Sequence, residues 1–166
     1  MRRSVATLGT AAFFAVAPGV VAGLVPWVLT GWREGGSVRA PLRWLGVALV
    51  VAGGAVLVAA FGRFVIEGAG TPAPIAPTRV LVVGGWYRHV RNPMYLAVVA
   101  VIVGQALLLD RPVLFADAAA VWAVVAAFVH WYEEPALARQ FGPRYDEYRR
   151  GVPAWRPRLH PWRGIT

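Results

Sequence analysis

The chain contains no cysteine and no lysine. Without cysteine there is no disulfide, no thiolate nucleophile and no cysteine-held metal. The three histidines, His89, His130 and His160, stand far apart, so no metal site is expected. Charge of one sign is scarce: 8 acidic residues face 17 basic ones, all of them arginine, for a net charge of +9. No basic run interleaved with aromatics lies away from the apolar segments, which sets nucleic acid aside. What the sequence does have is apolar mass. Hydrophobic residues make up 58% of 166, charged residues 15%, and the mean hydropathy is +0.54. That is a membrane protein's composition at the length of one domain.

Four apolar runs come close to the roughly 20 residues that a helix needs to cross hydrocarbon. They cover about Val5 to Leu29, Pro41 to Val65, Pro93 to Leu109 and Pro112 to Tyr132. The first, preceded by Arg2 and Arg3, is too long for a signal peptide's apolar stretch and reads as a retained helix. The expectation is an all-α integral membrane domain over residues 1–166. Residues 1–62 hold two transmembrane helices, and residues 63–166 hold a loop, a tight hairpin and a C-terminal tail. Gly53, Gly54 and Gly62 offer close helix contact in the second run. Arginines crowd the N-terminus, the loop between the second and third runs, and the tail. The positive-inside rule therefore places both termini and that loop in the cytoplasm. Within the loop, TPAPIAP reads as extended chain and RVLVV as a short apolar stretch able to dock on helix ends. In the tail, Leu137, Phe141, Tyr145 and Tyr148 recur at helical spacing, and Gly142-Pro143 divides the segment into two short helices expected on the membrane surface.

Only Asp110, Arg111 and Pro112 join the third and fourth runs, so these form an antiparallel hairpin. Counting equal distances from Arg111 puts Gln105 level with Asp117, as a bond across the turn, Asn92 level with His130, and Arg88 level with Glu134. The segments RHVRNPMY and HWYEE then meet at one ledge. Asn-Pro marks a helix start, with Asn92 as cap and Pro93 in the first turn. The free N–H groups of a helix start suit an anionic group, Tyr87 and Tyr95 add aromatic faces, and Glu133 and Glu134 add negative charge. Arg88 and Arg91 also read simply as lipid anchors.

At these residues the chain resembles the isoprenylcysteine carboxyl methyltransferases and their relatives, the phospholipid methyltransferases. The similarity runs from about Phe61 to Leu159. It is carried by TPAPIAPTRVLVVGGWY, RNPMYLA, the apolar hairpin and EEPALARQFGPRYDEYRRGVP. These families are small membrane enzymes that use S-adenosylmethionine. The resemblance implies a cofactor site at Arg79, Val80, Leu81, Val82, Tyr87, Asn92, Pro93, Met94, Tyr95, Glu133 and Glu134. No residue stands out as an obligatory base, and Glu133, His130 and Tyr95 are the candidates for proton transfer. The resemblance also implies an amphiphilic acceptor drawn from the lipid bilayer. Asn92 stands where the family carries His, and Asn is no general base near neutral pH. Ala97 stands for a glycine, and Val129 for the arginine with which isoprenylcysteine enzymes bind their substrate, which argues against a prenylcysteine acceptor. Two other readings remain open: a membrane reductase with a nicotinamide cofactor, like the distantly similar steroid reductases, and a non-catalytic membrane scaffold. The Glu-Glu pair is ill-suited to a dinucleotide's phosphates.

Overall fold

A computed structural model describes residues 16–36, 39–66 and 80–164. Residues 5–15 of the first run, the TPAPIAP stretch and Arg79 lie outside them. Among the described residues there are helices and no strands. They are α1 (Val16–Thr30), α2 (Ala40–Ile66), a 3-10 turn (Gly85–Arg88), α3 (Pro93–Leu109), α4 (Val113–Phe141) and α5 (Pro143–Gly151).

Of the four expected crossings, two are long and apolar enough by themselves: Ala40–Arg63 within α2, and α4. α1, over its described part, and α3 are shorter apolar helices. The 17 residues of α3 rise about 26 Å, less than a typical hydrocarbon core. Trp44, Val51 and Val58 on α2, and Val124 and Trp131 on α4, are each more than 60% exposed. Helix faces this apolar, with no protein against them, belong in lipid rather than in water.

α2 and α3 pack antiparallel and closely, because small residues meet small residues. A Cβ on Gly46 would lie 2.8 Å from the Gly104 carbonyl oxygen, and one on Gly53 would lie 2.9 Å from the Ala97 carbonyl oxygen. The two contacts are seven residues apart on each helix, which keeps them on one face. Gly54 and Gly62 have nothing within 4 Å of an added Cβ, so only one of the three expected glycines serves the contact. Leu57 and Phe61 of α2, Val98, Ile102 and Ala106 of α3, and Leu114 and Ala118 of α4 complete the core.

At one end of the bundle, Asp110 turns the chain with φ 50°. The Gly35 N–H donates to the Leu109 carbonyl at 2.7 Å, and Arg111 Nε donates to the Arg33 carbonyl at 3.0 Å. The α1–α2 loop and the α3–α4 turn therefore share that end, and α2's C-terminus, the 3-10 turn and α5 share the other.

The expected bond between Gln105 and Asp117 does not form. Gln105 Nε2 instead donates to the Ala22 carbonyl of α1 at 2.7 Å. Pro26, four residues after Ala22, has no N–H to offer that carbonyl, so a donor from α3 fills the gap in α1's ladder. One carboxylate oxygen of Asp117 is buried without a hydrogen-bond partner.

α4 also departs from expectation. It runs past Tyr132 and through Pro135 to Phe141, because the chain widens into a π turn over Val129–Glu133 just before the proline. The break comes at Gly142 instead, whose φ of 54° favours glycine. The tail's shared apolar face packs inside the protein. Tyr145, Tyr148 and Val152 are buried together against Leu81, Val83, Leu137, Phe141 and Trp162.

Candidate active site

The polar stretch that begins with Arg88 mostly binds the chain's own C-terminus. Arg88 Nε donates to the Trp162 carbonyl at 2.7 Å, and the Trp162 N–H donates back to the Arg88 carbonyl at 2.9 Å. His89 Nδ1 lies 2.8 Å from the Arg158 carbonyl, so that nitrogen carries the hydrogen. Asn92 holds the N-cap position of α3 but makes no side-chain cap. Its Nδ2 donates to the Ala154 carbonyl at 3.1 Å. Residues 153–162 thus form a strap across the ledge.

Two groups of this region turn inward instead. The Tyr95 hydroxyl donates to Glu133 Oε2 at 3.0 Å. Arg91 Nη2 pairs with Glu134 Oε1 at 2.9 Å, and Arg91 Nη1 donates to the Tyr145 hydroxyl at 3.1 Å. Both members of the ion pair are largely buried, at 12% and 19% side-chain exposure, and Arg91 Nε is buried with no acceptor. Removing either charge would leave the other uncompensated in a poorly solvated place. Below these groups, the Tyr148 hydroxyl donates to the Tyr87 carbonyl at 2.7 Å. Burial, foremost, raises the phenols of Tyr87 and Tyr148 well above the ordinary tyrosine range, so both are neutral at physiological pH.

These side chains sit at one end of a cavity of about 610 Å³. That is within the size range of small-molecule sites. Its polar end is formed by Arg91, Asn92, Tyr95, Glu133 and Glu134, with Tyr87 and Tyr145 alongside. Its long flank is apolar and runs between α1 (Ala17, Pro18, Val21) and α4 (Val121, Val124, Val125, Phe128). Val129 is buried and lines the wall.

Of the residues singled out from sequence, Leu81, Val82, Tyr87, Asn92, Met94, Tyr95, Glu133 and Glu134 all line this cavity. Val82 is buried against Ala60 and Tyr87, as a docked apolar stretch should be. Pro93 is buried in the first turn of α3 and Val80 is half-exposed, and neither lines the cavity. His130 is exposed on the outer side of α4, edge-on to Trp131, and is not in the cavity wall.

Equal distances from Arg111 therefore do not give equal levels. Glu134 meets Arg91 rather than Arg88, and Glu133 meets Tyr95, which stands fewer residues from the turn. Arg88 belongs to the 3-10 turn, so helical rise does not extend to it. Side chains on both helices also lean toward their own N-termini, which draws Tyr95 and Glu133 together from unequal distances. Arg91, Tyr145, Tyr148 and Gln140 were missed as lining residues. The i, i+3 spacing of the two tyrosines carried the only signal for them.

Comparison with curated proteins gives no match, and comparison with solved structures gives none. A family model does match: that of the phospholipid methyltransferases, over residues 41–144. The matched span takes in α2, α3, α4 and every charged group at the cavity's polar end. It covers well over half of the chain, which belongs to the phospholipid methyltransferase family.

Proposed function

We propose that this protein is an S-adenosylmethionine-dependent methyltransferase that acts on a lipid-like or membrane-partitioned acceptor at the cytoplasmic face of the inner membrane. The observation that carries the reading is the two-part character of the cavity. A half-buried carboxylate and aromatic groups stand at one end, and an apolar flank leads away between α1 and α4. The residues present fit the cofactor. A zwitterion with a sulfonium, an ammonium and a carboxylate needs a negative group, aromatic faces and a donor within one pocket. Glu133, the rings of Tyr87 and Tyr95, and the buried, unpaired Arg91 Nε supply these.

S-adenosylmethionine, when bound, supplies an electrophilic methyl group on a cationic sulfur. The chain's own groups have the tasks of binding, orienting and excluding water. The Tyr95 hydroxyl fixes one oxygen of Glu133 and leaves the other oxygen for a ligand. The Arg91–Glu134 pair holds the start of α3 against α4, which sets the width of the pocket. The apolar flank keeps water from the reacting atoms, and such desolvation and alignment are the main levers for an in-line displacement at a cation. An acceptor's hydrocarbon part would lie along Val121, Val124 and Phe128, with its reactive group toward Tyr95. The basic end of the bundle faces the cytoplasm in this reading, and the arginines of α5 and the strap meet anionic headgroups.

The test is transfer of label from methyl-labelled S-adenosylmethionine to bilayer lipids by the protein reconstituted in vesicles. Label in the organic phase, greatly reduced by Glu133→Ala, is the expected result. No transfer to any lipid-extractable product under conditions where the cofactor binds would contradict the choice of acceptor.

A further inference from the structure

We infer that Pro135 is a positioning residue: it holds α4 in a π turn over Val129–Glu133, and that turn keeps the Glu133 side chain facing Tyr95 inside the cavity.

The helical ladder shows how. Proline lacks an N–H and crowds the carbonyl four residues back. The last donor before Pro135 is the Glu134 N–H, which reaches five residues back to the Val129 carbonyl. The first helix repeats the pattern. There the last donor before Pro26 is the Val25 N–H, and it reaches five residues back to the Val20 carbonyl, closing a π turn over Val20–Leu24. In both helices the proline follows the start of the π turn by six residues. Two occurrences with one offset tie the wide turn to the proline.

The wide turn changes which side chains share a face. Val125, Val129 and Glu133 all line the cavity. In a regular α-helix, residues eight apart differ in direction by about 80°. A turn closed five residues back takes an extra residue, so the step from Val129 to Glu133 falls short of a full circle by about as much as the regular step from Val125 to Val129 exceeds it, and the two drifts offset each other. π turns are frequent at functional sites. Here the result is a carboxylate aimed at the Tyr95 hydroxyl, 3.0 Å away. Pro135 itself is not part of the cavity wall, so it acts through Glu133 and not by contact with a ligand. Its consequence for binding rests on the proposed function, while its consequence for geometry does not.

The absence of cysteine makes the geometry measurable. Two double variants, Tyr95→Cys with Glu133→Cys and Tyr95→Cys with Tyr132→Cys, are oxidised in membranes by copper phenanthroline. With Pro135 present, the 95/133 pair should cross-link faster than the 95/132 pair. With Pro135→Ala added, the preference should shift toward 95/132. Pro26→Ala, remote from the ledge, should leave it unchanged. In the cysteine-free background, Pro135→Ala should weaken S-adenosylmethionine binding about tenfold, as expected for a displaced charged partner, without lowering the unfolding temperature.

An unchanged 95/133 preference in Pro135→Ala overturns the inference, whatever the cofactor. A shifted preference in a protein that never binds S-adenosylmethionine upholds the positioning role and removes the proposed function alone. Pro135→Ser, which also restores the N–H, serves as a second variant. If neither variant folds, the proline is a folding requirement and the positioning role is refuted.

Discussion

Gly104→Ala is the substitution whose effect the packing fixes most closely. A Cβ at position 104 would stand 2.8 Å from the Gly46 carbonyl oxygen, 2.7 Å from Val50 Cγ2 and 3.0 Å from the Val50 nitrogen. Two of the three are backbone atoms of α2, which no rotamer change can move. Ordinary contact begins at about 3.5 Å, so α2 and α3 must part locally by roughly 0.7 Å, a gap that forfeits a quarter to a half of the dispersion well at neighbouring contacts. Overpacking of this kind costs about 1–3 kcal/mol. Alanine recovers up to about 1 kcal/mol in helix propensity. The net expectation is a loss of about 1–2 kcal/mol. Gly54→Ala is the matched control, because nothing lies within 4 Å of its Cβ, so it should be neutral or stabilising by up to about 1 kcal/mol. Reversible unfolding in mixed micelles titrated with sodium dodecyl sulfate reads both. The reasoning fails if Gly104→Ala matches the parent protein, or if Gly54→Ala loses as much as Gly104→Ala.

Further expectations concern the polar contacts. Gln105→Leu leaves the Ala22 carbonyl without its donor from α3 and should cost about 1 kcal/mol in the same titration, as interhelical hydrogen bonds in membranes do. Tyr148→Phe removes the buried bond to the Tyr87 carbonyl and should cost about 1–2 kcal/mol. Tyr145, only 2% exposed, has its phenol pushed up to about 12, first by burial. Its folded value lies above the unfolded value of about 10, so its contribution to stability is full below that pH and is lost as pH rises toward the folded value. Thermal unfolding followed across this alkaline window should show the decline, to which the raised phenols of Tyr87 and Tyr148 also contribute, and Tyr145→Phe should make it shallower. Deleting residues 153–166 removes the strap's bonds to Arg88, His89, Arg91 and Asn92. The unfolding temperature should drop, and an unchanged temperature would show that the strap contributes nothing to the ledge.

Much of the bundle was legible because its signals are local. Asn92-Pro93 and the apolar run after it mark α3 from Pro93 to Leu109, and those are its bounds. Gly142-Pro143 marks the break before α5. The short Asp110-Arg111-Pro112 link dictates a hairpin, and the hairpin brings the ledge residues together. What was not legible depends on backbone details that residue type alone does not reveal. The fourth apolar run reads as ending near Tyr132, yet the helix passes through Pro135 by widening, so α4 continues and Glu133 turns inward. Gln105 reads as a partner for Asp117, but the carbonyl freed by Pro26 competes for it and wins. Asn92 reads as a cap, but the returning strap offers its side chain a carbonyl at 3.1 Å. In each case a main-chain group, invisible in a pattern of side chains, decided the outcome. The same holds for Arg88, which reads as a lipid anchor and instead holds the Trp162 carbonyl, and for its neighbour His89, which holds that of Arg158.

The most direct test of the central claim is calorimetric titration of the detergent-purified protein with S-adenosylmethionine, S-adenosylhomocysteine and NADPH, each repeated on Glu133→Ala. Saturable binding of the first two and not of NADPH, with clear weakening in the variant, is the predicted result. Binding of NADPH alone, or S-adenosylmethionine binding indifferent to Glu133→Ala, would contradict it.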